Sequence, residues 1–370
     1  MSDIILYIMV IFSIIGGIDK LLNNRFGLGE KFEEAFKNMG GLSLSMIGII
    51  GLAPVISQVL TPLLKLVSNI SGADPSVFIS SILAIDLGGY VASAELAQCQ
   101  QLAKLNGLLL ASMMGVTISF TIPVAINMIP KDHFHLFANG ILAGIVTVPV
   151  GVLLGGLAMG VALGTILINL LPVIILSVLI IIGLLKYQEK TMAIFSKLGR
   201  IVSILCTLGL LISILDFILG IKVFPNIIPF SESIIVVGKT AVMISGAYPL
   251  FHLVSKYLNK RLSSIAKKIG INEYSVLGIV TSLANNVPTL GIYDKMDDRG
   301  KVLSAAFIAS SSFTFGGQLG YLASISKDMI TPYLIAKLSA ALSGLLLAAL
   351  LLKIRGDKII GKTDEACDKN

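Results

Sequence analysis

Residues 281–290 read TSLANNVPTL, and the run around them is apolar. Asn285 and Asn286 stand side by side, Pro288 breaks any helix, and Thr289 closes the group. Two amides and a helix breaker in oily surroundings are costly unless they bond a ligand or an unwound backbone. A second such stretch, AIDLGGY, sets Asp86 ahead of Gly88, Gly89 and Tyr90 in the middle of residues 75–102. The chemistry open to these residues is non-covalent: a carboxylate supplies charge for a small cation, and amides and hydroxyls orient it.

The elements that must hold these groups are set by composition. With 55% hydrophobic and 13% charged residues and a mean hydropathy of +0.92, the chain is a polytopic membrane protein of the all-α class. A membrane β-barrel would show ten-residue alternation in place of blocks such as VIILSVLIIIGLL at 173–185. About nine full spans are expected: 4–18, 41–64, 106–129, 136–159, 166–185, 200–221, 234–255, 302–325 and 330–352. Residues 26–40 are too charged to span and read as an interfacial helix or a solvated loop. The N-terminus has no positive n-region or cleavage site and reads as a retained first span. Cys99, Cys206 and Cys367 show neither metal spacing nor a disulfide set, and no cofactor is implied. The net charge of +7 reads as orientation in the membrane, since no basic cluster interleaved with aromatics points to nucleic acid.

Residues 75–102 and 275–296 are each interrupted midway and read as broken spans or re-entrant hairpins. Charge favours hairpins. With the N-terminus outside and both segments re-entrant, all of the 28 lysines and arginines except Lys65, Lys104, Lys222, Lys239, Lys327 and Lys337 fall on the inner face. The C-terminus is then cytoplasmic.

An internal repeat agrees. Residues 106–123 set against 299–316 match Ser119, Phe120 and Thr121 with Ser312, Phe313 and Thr314, and further upstream Leu83 and Ala84 pair with Leu283 and Ala284. Asp86 then stands opposite Asn286, and Pro54 answers Pro249. The chain divides into a first span with the interfacial helix (1–40), repeat 1 (41–130), scaffold spans (131–232), repeat 2 (233–328) and a last span with a short tail (329–370). The copies start on opposite faces. An inverted repeat with matched interruptions is the mark of a secondary transporter whose site lies at the midplane.

Asp86, Asn285, Asn286, Thr289, Ser119, Thr121, Ser312, Thr314 and Tyr90 are therefore the candidate binding residues. Each has a plainer reading. Asp86 can be a structural acid neutralised by Lys239 or by backbone amides. The asparagines can cap a hairpin tip, and the serines and threonines can bond back to their own helices. Asp216 near a span end reads as a snorkelling or pairing acid, His252 as structural, and Asp74 and Glu95 as interfacial. No nucleophile, phosphate loop or metal cluster supports an enzyme.

The motifs GLAPVISQVLTPLL, GADPSVFISSILAIDLGGY, SFTIP and SLANNVPTLGIYDKMDDRGKVLSAAFIASSSFTFG together resemble the ethanolamine utilisation permeases, the EutH type, over nearly the whole chain. The resemblance implies a bacterial inner-membrane protein that brings in ethanolamine for a cobalamin-dependent lyase housed in a protein-shelled microcompartment. The chain is short for this family, with the brief tail RGDKIIGKTDEACDKN. The NNVPT tip also resembles the hairpin tips of ion transporters, so a sodium/proton antiporter or another ion-coupled carrier is the alternative. Spans 4–18, 136–221 and 330–352 are expected to form a scaffold and a homodimer interface, bathed in membrane lipid.

Overall fold

Inside a bilayer no water meets a free backbone amide, so apolar runs long enough to cross it fold as helices. The computed structural model describes residues 2–259 and 261–360, and among these no strand occurs. Cys367 and the tail of residues 361–370 lie outside the described residues. Eight helical stretches are long and apolar enough to cross a membrane. They comprise α1 (Ser2–Leu21); α2 (Leu28–Lys37) with α3 (Met39–Ser71); a rod from Gln100 to Met128; α8 (Phe134–Ala158); α9 (Leu163–Lys186); α10 (Gln188–Leu219); α11 (Phe230–Asn259); and α17 (Ile330–Ile360). Within the rod, α6 (Gln100–Lys104) and α7 (Ile122–Met128) flank wide π turns over Leu105–Gly115 and Thr117–Thr121. Leu167, Leu171, Ile175 and Leu179 on α9, and Ile201, Ile204, Leu208 and Leu211 on α10, face outward uncovered, as a lipid-facing surface does.

Residues 26–40 do form a helix, α2, which lies against α1 and α11. Its turn is pinned by Asp19, whose carboxylate accepts from the amides of Phe26, Leu28 and Gly29.

Both interrupted segments turn back on themselves. In the first, α4 (Ser76–Ile82) and α5 (Tyr90–Leu96) flank an unwound Leu83–Ala84 and a single wide turn, Ile85–Gly89. Asp74, expected at the interface, closes the base of this hairpin with its side chain buried. Its Oδ2 accepts from Gln98 N at 2.8 Å and its Oδ1 from Ser76 N at 2.9 Å, which brings the two ends of the segment together. In the second, α13 (Glu273–Ser282) and α14 (Asn286–Gly291) are closed at the base by Asn272, which donates from Nδ2 to Lys295 O and from its backbone N to Asp297 Oδ1, each at 2.8 Å. The ten residues of α13 make a helix of about 15 Å, half of a core about 30 Å thick, and the seven of α4 make about 10 Å, a third of it. Between the hairpins α12 (Leu262–Ile269) lies as a short amphipathic piece.

The ninth span expected at 302–325 does not run through. α15 (Asp298–Ser311) stops inside the protein, Phe313 takes a left-handed φ of 62°, and α16 (Gly317–Ile325) resumes. Its freed groups meet those of the second hairpin: Phe313 N donates to Ser282 O at 3.1 Å and Phe315 N to Leu283 O at 2.8 Å. Two interruptions thus satisfy each other in a place where water is absent. Gly316 must be glycine because a side chain would strike Ala284 O.

Close packing holds this centre. Gly140 and Gly144 of α8 lie against the backbone of α15 at Val302 and Ala306, and Gly151 and Gly155 lie against α17 at Ala336 and Pro332. Without a hydrophobic force between helices in lipid, such close approach of small residues supplies much of the attraction.

Five crossings separate the two hairpin bases, so they belong on opposite faces. With Cys99, Cys206 and Cys367 all replaced by serine, a single cysteine introduced at Ser71 or restored at position 99 should label with an impermeant maleimide from one face, and one at Glu273 or Lys295 from the other. A pair split between faces would refute the turn-back of that segment.

Candidate functional site

The broken segments meet where the candidate residues lie. At the first tip, Ala84 N donates to Ser119 Oγ at 3.1 Å, while the Ser119 hydroxyl donates to Gly115 O in its own rod. Asp86 follows in the wide turn, held by Gly88 at a φ of 80°. The residue is half-buried, and its Oδ1 is sealed from solvent without a hydrogen-bond partner. At the second tip, Asn285 caps α14 by accepting from Val287 N at 2.9 Å, the plainer role. Asn286 is buried and reaches across: its Nδ2 donates to Thr121 Oγ1 at 2.9 Å, and its Oδ1 is left open. Thr289 closes its hairpin by donating to Gly278 O at 2.8 Å. Ser312 and Thr314 bond back to Ile308 O and Ser311 O. Phe120 and Phe313 stack edge-on at 5.6 Å, so the two Ser-Phe-Thr segments touch. Tyr90 is half-buried against Gly107.

The cation nearest in charge to Asp86 is not Lys239, which is exposed, but Lys337. That lysine, one of the six left off the inner face by the charge pattern and lying within the span expected at 330–352, is fully buried in α17. Its Nζ donates to Ser112 O at 2.9 Å, Ser312 O at 2.6 Å and Gln318 Oε1 at 2.6 Å, and it lies 5.2 Å from the Tyr333 ring centre. All three ammonium hydrogens are used. Because an ammonium can only donate, it fixes the Gln318 amide with oxygen toward Lys337. Nε2 is then free of any partner, and α16, which carries Gln318, packs against the turn that holds Asp86. Tyr333 OH donates to Phe313 O at 3.2 Å, so α17 meets two carbonyls released by the break. Lys337 and Gln318 escape a motif search. The signal for Lys337 is its place near the middle of an apolar span.

Two cavities approach the tips from the α2 end. One of about 240 Å³ is lined by Glu34, Tyr248, His252, Ala284, Asn285 and Pro288. The other, of about 740 Å³, reaches Leu87, Ser119, Phe120 and Cys206. At the opposite end Lys104 and Asp328 pair at 2.7 Å, and the depression there touches none of the tip residues. What the arrangement offers is a dry carboxylate oxygen, two open amide atoms and a resident cation, with cavities approaching from one side.

The family described as "Ethanolamine utilisation protein, EutH" matches residues 1–351. The chain belongs to the EutH family. A protein of Listeria monocytogenes named "Probable ethanolamine permease EutH" is 41% identical over 337 residues, covering 91% of this chain and 90% of its own. An Escherichia coli protein of the same name is 36% identical over 95% of both chains, and a Bacillus subtilis protein, "Uncharacterized protein YxeR", is 38% identical over 94% of both. No solved structure matches the chain significantly. The EutH match takes in both hairpins, the break at Phe313 and Lys337.

The bond between the two halves can be measured by itself. Thr121→Val and Asn286→Ala, combined in a thermal-stability double-mutant cycle in detergent, should show a coupling of about 1 kcal/mol. Additive effects would mean that the Thr121–Asn286 bond is not formed.

Proposed function

We propose that this EutH family member is a permease that carries ethanolamine across the bacterial cell membrane, binding it between the two hairpin tips. The observation that carries the reading is Asp86: a carboxylate oxygen left open at the break of a half-crossing hairpin, in a chain whose relatives are named ethanolamine permeases. The substrate ammonium takes Asp86 as counter-ion. Its hydroxyl donates to the open Oδ1 of Asn286, with the Gln318 amide beside the ammonium. Ends of half-helices point at such a site, the first offering carbonyls to the cation and the second amides to an oxygen.

The lysine and arginine bias places the N-terminus outside in the inner membrane and the C-terminus in the cytoplasm. The two cavities at the α2 end then open inward, and the Lys104–Asp328 pair closes the outer side. Alternating access moves the two repeat units, each a span, a hairpin and a span, together with α17, which Lys337 and Tyr333 tie to the break, against α1, α8, α9 and α10 as a scaffold, and that scaffold pairs two copies.

Removing one member of a desolvated charge pair costs about 2–5 kcal/mol, roughly 30-fold to several-thousand-fold in affinity. Asp86→Asn should therefore reach the membrane but lose uptake of labelled ethanolamine in proteoliposomes, while Asp216→Asn keeps most of it. Near-normal affinity and flux in well-folded Asp86→Asn would move the cation elsewhere.

A further inference from the structure

Lys337 is a cation already seated in the site that is to receive another. It is fully buried, its ammonium is saturated by three acceptors, and none of its hydrogens goes to Asp86. Among the described residues, Asp86 is the charged group whose field reaches it. The surrounding elements bring no other. The rod from Leu105 to Thr121, α8 from Leu136 to Ala158 and α15 from Val302 to Ser311 carry no titratable side chain, α16 offers the phenol Tyr321, and α17 itself Tyr333. The empty site thus holds one negative and one positive charge and is neutral overall.

A substrate ammonium at Asp86 leaves one positive charge too many. An uncompensated charge in a water-free interior is expensive, and groups so placed shed or gain a proton instead. Resting on the transport reading above, we infer that Lys337 is the coupling residue: it gives up its proton when a cationic amine binds Asp86, and the carrier exchanges one substrate cation for one proton. The deprotonated amine keeps two N–H donors for Ser112 O and Ser312 O and gains a lone pair. Gln318 then turns over, donating from Nε2 to Lys337 and presenting Oε1 to the substrate.

The balance closes over a cycle. Outside, the substrate cation enters and the Lys337 proton leaves to water on that side. The loaded site crosses neutral. Inside, the substrate departs, Lys337 takes a proton from inside water, and the neutral empty site returns. One cation moves in, one proton moves out, and no net charge crosses. Both states that cross the bilayer centre are neutral, which is the condition under which crossing is cheapest.

The test uses full-length protein in proteoliposomes near pH 6, where the neutral amine that leaks through lipid is scarce, with protein-free vesicles as the blank. Labelled ethanolamine uptake is followed with a lumenal pH dye, with and without a potassium/valinomycin potential. Wild-type initial rates should change by less than about twofold with an inside-negative potential, and the lumen should lose about one proton per substrate taken up. Uncompensated entry would instead accumulate the cation about tenfold per ~60 mV and leave lumenal pH unchanged, which overturns the inference while the transport reading stands. No labelled uptake at all would sink the transport reading itself. Lys337→Met, neutral when loaded and negative when empty, should become potential-driven and cease moving protons. Should it fail to fold, Lys337→Arg, which holds its proton, should likewise become potential-driven. Electroneutral uptake by the folded variant would also overturn the proposal.

Discussion

The ammonium of Lys337 rests on a carbonyl that exists as a free acceptor only because α15 ends at Ser311. A helix broken in a water-free interior exposes groups that must be bonded, and each unmet one costs a few kcal/mol. α17 answers with Lys337 on Ser312 O and Tyr333 on Phe313 O, and the second hairpin answers with Ser282 O and Leu283 O under the amides of Phe313 and Phe315. Hairpin, broken span and α17 are therefore interlocked. None can shift without the others offering its polar groups new partners.

The two halves solve the same problem differently. Where the second half breaks its span outright, the first keeps a continuous rod widened into π turns, and lets Ser119 hold the free amide of Ala84. The difference concentrates anionic character at the first tip, in Asp86, and the resident cation behind the second, in Lys337. Gln318 lies between them, its orientation dictated by a partner that can only donate. The amide bonds the ammonium alone, which leaves its other atom and the carboxylate oxygen open to a guest.

The alignment of Leu83 and Ala84 with Leu283 and Ala284, and of the two Ser-Phe-Thr triplets, was visible as text, and in the fold each tip rests on the triplet that follows it. Asp86 was also visible, because a lone acid in an apolar run stands out. Asn285 was visible but its role was not, since capping and binding call for the same amide. Lys337 was set aside with five scattered lysines because charge bookkeeping counts a charge without knowing its depth. Asp74 was expected at the interface, but its closing of the hairpin base was not legible. A carboxylate that bonds Ser76 N and Gln98 N needs a residue more than twenty positions away, and no local pattern records that.

What the sequence determined by itself was the class: apolar runs of bilayer length can only be helices, and a proline with two amides inside one can only be an interruption. It also determined that a single acid would sit in the first interruption. Only the tertiary structure decided where the span through residues 302–325 breaks, because Ser311 to Gly316 are individually compatible with a helix and unwind when Ser282 O and Leu283 O lie close enough to take their amides. And only it decided which lysine faces Asp86, because that choice depends on how α17 packs against the rod and the break through the small residues of α8, a contact between parts of the chain with no common sequence signal.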